Sequence, residues 1–86
     1  MTCSVRIKQS AAKALARIPK RDRLRIVEAI DALAEHPLAG SSLKGGLRGL
    51  RRVRVGDYRV VYEVLEDALV VLVLRVAQRG TAYRRS

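Results

Sequence analysis

The sequence contains no tryptophan and no phenylalanine, and only one cysteine, one methionine, one histidine and two prolines among 86 residues. Each scarcity closes a route. Cys3 has no second thiol, so there is no intramolecular disulfide, and no Cys or His partner stands at metal-ligand spacing from it. His36 precedes Pro37 where a helical pattern ends, which fits a capping or surface residue rather than a metal ligand, so no metal and no cofactor is expected. The longest apolar run, Ala68 to Leu74, is far short of the ~20 residues that a spanning helix requires. Met1 to Lys8 carries no apolar signal core. A chain of this length and pattern is expected to fold as a single domain over residues 1–86 and to reside in the cytosol.

Positive charge is abundant. Eighteen Lys and Arg stand against eight Asp and Glu, giving a formal charge of +10 and a sequence pI near 11.1. Such an imbalance attracts polyanions. A membrane surface would favour a basic amphipathic helix with large apolar anchors, whereas the helical stretches here carry mainly Ala, Leu and Ile. Nucleic acid is the expected target, with an acidic protein as a second partner.

Cys3, Val5 and Ile7 alternate with Ser4, Arg6 and Lys8 at the period of a half-buried strand. Ser10 is a suitable N-cap for a short helix with Ala11, Ala14, Leu15 and Ile18 on one face, ended by Pro19. Leu24, Val27, Ile30, Leu33 and Ala34 mark the apolar face of a second helix that stops at His36-Pro37. The Gly- and Ser-rich stretch from Pro37 to Gly49 is expected to form a surface loop. Three segments rich in β-branched residues follow, Leu50 to Val55, Tyr58 to Leu65 and Leu69 to Ala77. The expected fold is α+β, in the order β-α-α-β-β-β, with a helix hairpin packed on one face of a small antiparallel sheet and the other face left for function.

If Gly56-Asp57 is a two-residue hairpin turn, Val55 pairs with Tyr58, Arg54 with Arg59 and Val53 with Val60. Alternation then points Val53, Val55, Tyr58, Val60, Tyr62 and Val64 at the helices, and Arg52, Arg54, Arg59, Val61 and Glu63 away from them. Like charges directly across a strand pair destabilise it by roughly 0.2–1 kcal/mol, a penalty that a bound anion relieves. Guanidinium groups that converge in this way can clamp a phosphate; the plainer alternative is a solvated basic face. Parity places Arg75 and Arg79 on one side of the last strand. A three-residue turn at Glu66-Asp67-Ala68 would set Arg75 opposite Arg59, and a two-residue turn would set Leu74 there. Tyr83, just past the strand, could stack on an unpaired base or pack the tail on the sheet. Lys44 lies among glycines but lacks the Gly-x-x-x-x-Gly-Lys-Ser/Thr pattern of a phosphate loop.

The run Leu47-Arg48-Gly49-Leu50-Arg51-Arg52-Val53-Arg54-Val55-Gly56-Asp57-Tyr58-Arg59-Val60-Val61-Tyr62-Glu63-Val64, then Leu72 to Val76 and Arg79-x-x-x-Tyr83, resembles the RelE branch of the RelE/ParE toxin superfamily. The resemblance extends over nearly the whole chain. It implies the toxin of a type II toxin–antitoxin system: a metal-independent endoribonuclease that enters the ribosomal A site, touches 16S rRNA and cuts mRNA. A ribose 2′-oxygen attacks the adjacent phosphate and leaves a 2′,3′-cyclic phosphate and a 5′-hydroxyl. It also implies a cognate acidic antitoxin that silences the toxin, and a complex that binds operator DNA through the antitoxin. By motif, Arg52 and Arg54 face the scissile phosphate, Arg59 steadies the phosphorane, Arg79 lies beside the leaving oxygen and Tyr83 stacks on a base. Arg51, Lys44, Arg48, Arg75, Arg84 and Arg85 are the further residues expected to contact RNA.

Two departures from the RelE pattern matter. Arg52 and Arg54 stand where relatives offer lysines, and a guanidinium, which has no acceptor atom and stays charged, does not accept a proton. Gln78 stands where many relatives have a histidine before the arginine corresponding to Arg79. Electrostatic stabilisation is then the main catalytic resource, with Tyr83 a conceivable base. Two other functions stay open at this level: a ParE-type gyrase inhibitor, and a catalytically weak RNA-binding homologue.

Overall fold

A computed structural model describes residues 3–43, 49–65 and 67–78. Strand β1 (Ser4–Ile7) leads into α1 (Gln9–Ala16) and α2 (Lys20–Glu35), followed by β2 (Ser41–Ser42), β3 (Leu50–Val55), β4 (Tyr58–Leu65) and β5 (Val70–Gln78). The strands form one sheet in the order β1-β5-β4-β3-β2.

The helix hairpin forms where the periodicity places it, with local differences. Lys8 rather than Ser10 occupies the N-cap of α1, and its side chain makes no capping bond. Pro19 caps α2, its fixed φ suiting a helix start. Arg23 of α2 reaches back to the end of α1 and donates through Nη1 to Ala16 O at 3.3 Å and Ile18 O at 3.4 Å. A cation there meets carbonyls that α1 leaves unpaired. The buried stripe of α2 is Ile26, Ile30 and Leu33, with Val27 beside it, whereas Leu24 is 53% exposed. The true face is thus rotated from the expected one: Ile26 holds the place that Leu24 was expected to take.

The α+β class and the packing of two helices on the sheet agree with expectation, and the sheet itself differs in two respects. It is mixed rather than wholly antiparallel, because β1 pairs with β5 in parallel, Ser4 opposite Val70 through Ile7 opposite Val73. Alternation along β3, β4 and β5 sends β5 in the direction of β3, and β1 joins its free edge running the same way. The expected loop also contains a short strand: Ser41 and Ser42 pair antiparallel with Arg52 and Arg51.

Ile26, Val60, Tyr62, Val71 and Val73 are fully enclosed between helices and sheet, with Ala11, Leu15, Ile18, Ile30, Leu33 and Val76 around them. Fully burying an aliphatic side chain of this kind stabilises the fold by roughly 1.5–3 kcal/mol. The enclosed Tyr62 hydroxyl is satisfied twice, donating to Pro37 O at 2.8 Å and accepting from the Gly40 N–H at 3.0 Å. Among the described residues no helix is long and apolar enough to cross a membrane.

Candidate nucleic-acid interface

The β3–β4 hairpin turns at Gly56-Asp57, where Gly56 takes a φ of +60° that a side chain would resist. Its register is Val55 opposite Tyr58, Arg54 opposite Arg59, Val53 opposite Val60 and Arg52 opposite Val61. Val60 and Tyr62 are buried, and Val53, Val55, Tyr58 and Val64 pack against the same core. Arg52, Arg54, Arg59, Val61 and Glu63 therefore occupy the face turned away from the helices. Arg54 is exposed, while Arg52 and Arg59 are half-buried and the Arg59 Nε is screened from solvent. Partial desolvation strengthens the attraction of these guanidinium groups for an anion.

Strand β5 brings a fourth arginine to this face by a route that the sequence did not show. Leu65 pairs with Val70, so the connection is longer than either expected turn, and Leu69 within it adopts a φ of +53°. Val71 and Val73 face the core opposite Val64 and Tyr62. Strict alternation would then turn Arg75 inward as well. A β-bulge prevents this: pairing passes from Tyr62 opposite Val73 to Val61 opposite Arg75, and Leu74 is the extra residue. The added residue re-aims the strand, leaving Arg75 exposed on the outer face and Val76 buried. Ala77, not Arg75, lies opposite Arg59. Arg75 is its diagonal neighbour, within ~7–8 Å across an antiparallel pair and so within reach of a long side chain.

Arg51 falls on the opposite face. It sits across from the buried Tyr62, and its guanidinium bonds the chain before β2, with Nε to Gly40 O at 3.0 Å, Nη2 to Gly40 O at 2.7 Å and Nη2 to Leu38 O at 3.2 Å. Arg51, expected among the RNA contacts, thus directs these donors at backbone carbonyls on the side of the sheet away from Arg52, Arg54 and Arg59. Arg79, Tyr83, Arg84, Arg85, Lys44 and Arg48 lie outside the described residues.

An open groove of about 990 Å³ adjoins the arginine face between α1 and the end of β5, lined by Lys13, Arg17, Tyr58, Arg75 and Gln78 among others. Lys13 and Arg17 carry no signal in the sequence that singles them out. Among the described residues no three His, Cys, Asp or Glu side chains assemble as a metal site. What the arrangement offers chemically is a fixed set of cations: Arg52, Arg54, Arg59 and Arg75 on one surface with a single carboxylate, Glu63, among the described residues of those strands on that face.

A helix hairpin on one side of a small mixed sheet and a cationic surface on the other define a RelE/ParE-type toxin fold. The family model described as the ParE toxin of the type II toxin–antitoxin system, parDE, matches residues 5–83, and the chain belongs to this family of toxins. Toxin RelG of Mycobacterium tuberculosis is 34% identical over 87 residues, which span 99% of this chain and 100% of the relative. Toxin RelE of the same organism is 35% identical over 82 residues, 93% of this chain and 84% of the relative. A chain of the M. tuberculosis toxin–antitoxin complex RelBE2 superposes with a TM-score of 0.84 at 30% identity, covering 93% of this chain and 94% of that one.

Proposed function

We propose that this toxin is a metal-independent endoribonuclease that cuts mRNA on the ribosome. The observation that carries the reading is the convergence of Arg52, Arg54, Arg59 and Arg75 on one face, with Arg54 and Arg59 directly opposed. A like-charge pair in that position suits a site whose occupant is a polyanion. In the reaction the ribose 2′-oxygen bonds to the adjacent phosphorus, the bond to the 5′-oxygen breaks, and negative charge gathers on the non-bridging oxygens. Guanidinium groups fixed on a sheet need little reorganisation to meet that charge, the condition under which electrostatic stabilisation is most effective. Arg59, central in the cluster and half-buried, steadies the phosphorane; Arg52 and Arg54 hold the phosphate, and Arg75 with Lys13 and Arg17 guides the strand beyond it. Arg79 is assigned to the leaving oxygen and Tyr83 to base stacking, on the strength of the motif; the Tyr83 phenolate, favoured by the cations of the site, is the candidate acceptor of the 2′-proton.

Solved relatives named as RelE–RelB and RelBE2 toxin–antitoxin complexes support a cognate antitoxin as the partner; the charge of +10 calls for an acidic one, and the family resemblance implies that the complex binds operator DNA through it. The cytosol is the compartment that such a target requires. Primer extension on ribosome-bound message tests the reading: cut sites that appear with the wild type and disappear with Arg59→Ala support it, and an uncut message counts against it.

The family description names ParE, which favours gyrase inhibition as a second reading. It is set below the first because the two curated relatives described above are named RelE and RelG, and because gyrase binding requires no phosphate-centred arginine cluster. Loss of DNA supercoiling with ribosome-bound message left whole would reverse the order.

A further inference from the structure

We propose that Tyr62, Arg51 and Gly40 form a latch on the core side of the sheet that positions Arg52 for the phosphate on the other side, making Tyr62 and Arg51 positioning residues of the nuclease site. The proposal rests on the nuclease reading for its catalytic consequence, while the latch can be measured without it.

The geometry begins at β2. Two residues of antiparallel pairing, Ser41 with Arg52 and Ser42 with Arg51, are too few to hold an edge strand alone. The segment before them is tied down from two directions. Tyr62, fully enclosed in β4, donates to Pro37 O and accepts from the Gly40 N–H, and Arg51 of β3 donates to Gly40 O and Leu38 O. Gly40 is seated so tightly that a Cβ there would lie 2.5 Å from Arg52 O and 2.7 Å from the Tyr62 hydroxyl oxygen. No other residue type fits without displacing the backbone of Arg52 or the ring of Tyr62.

The consequence falls on Arg52. Its backbone pairs with Ser41 on one side, where Gly40 also abuts its carbonyl, and lies opposite Val61 in register on the other. Without the latch, β3 would be the sheet edge at Arg51–Arg52, where the backbone opens most easily. Arg51 and Arg52 are consecutive and point to opposite faces, so tying the Arg51 guanidinium to loop carbonyls on the inner side fixes where the Arg52 side chain leaves the outer side. A pre-organised site depends on such support, because a cation displaced by a fraction of an ångström no longer meets the developing charge.

The test is a double-mutant cycle of Tyr62→Phe, which keeps the enclosed ring and deletes only the hydroxyl, with Arg52→Ala. On programmed ribosomes Tyr62→Phe is expected to slow cleavage by about tenfold, and Arg52→Ala/Tyr62→Phe to be no slower than Arg52→Ala alone. Multiplicative losses, or an unaltered Tyr62→Phe rate, would overturn the proposal. Amide exchange supplies the readout independent of cleavage: Tyr62→Phe should accelerate exchange at Gly40, whose N–H bonds the Tyr62 hydroxyl, and at Leu43, whose N–H bonds Leu50 O, while Val60 and Val71 stay protected, and unchanged exchange at Gly40 refutes the latch. Arg51→Met separates positioning from direct contact. In an Arg52→Ala background the salt slope for binding a single-stranded 2′-deoxy oligonucleotide should not change further with Arg51→Met, whereas a phosphate contact by Arg51 itself would reduce it by about 0.7. If the wild type cuts no message, the nuclease reading fails, and the same cycle run on affinity for that oligonucleotide still decides whether Tyr62 acts through Arg52.

Discussion

Arg51 and Arg52 are chain neighbours of identical chemistry with opposite employment. Arg51 points to the core side of the sheet and directs its nitrogens to the carbonyls of Leu38 and Gly40. Arg52 points to the outer side, in the register that also holds Arg54, Arg59 and Arg75. The difference teaches that in this small domain strand parity, not residue type, divides the cation bonded to loop carbonyls on the inner side from the cations gathered on the outer face. Tyr62 and Val61 divide in the same way, one enclosed and the other beside the arginines.

The contrast makes opposite demands on stability and activity for each face. The largest effect is expected on the inner side: Tyr62→Ala removes an enclosed ring and orphans the Gly40 N–H and Pro37 carbonyl, at a cost of about 3–5 kcal/mol in denaturant unfolding. Next comes the outer side, where Arg59→Ala should lower message cleavage by about 10²–10³-fold with the thermal midpoint nearly unchanged, the loss typical of one transition-state donor. Smaller still, Arg54→Ala should leave the fold as stable or stabilise it by a few tenths of a kcal/mol, since it ends the facing-arginine repulsion, which solvent partly screens at this exposed position, while weakening RNA binding. The smallest is Leu24→Ala on the exposed side of α2, within about 0.5 kcal/mol of wild type on denaturation. An Arg59→Ala protein that unfolds, or a Tyr62→Ala protein as stable as wild type, would break the division between faces.

Much of this organisation is legible in local pattern. The Gly56-Asp57 turn fixes the β3–β4 register by itself, because only two residues separate the paired ends, and that register sorts the arginines. Features that depend on long-range bonds are not legible. Ser41 and Ser42 have no strand-like composition and become β2 because Tyr62 and Arg51 anchor the residues before them. The bulge at Leu74 leaves no mark in a run of aliphatic residues, yet it decides which way Arg75 faces. Ile26 and Leu24 both fit an amphipathic helix, and only the angle at which α2 meets the sheet decides that Ile26 is buried and Leu24 exposed. Arg51 shares its odd-numbered parity with Val53 and Val55, and that parity is the signal in the sequence for its place on the inner face.

The division of the arginines can be observed directly by following the guanidinium Nε–H resonances during titration with a short single-stranded 2′-deoxy oligonucleotide. The signals of Arg52, Arg54, Arg59 and Arg75 should shift together and saturate at one affinity while that of Arg51 stays in place. A titration that moves Arg51 as far as the others, or leaves Arg54 and Arg59 untouched, would contradict the phosphate-binding face.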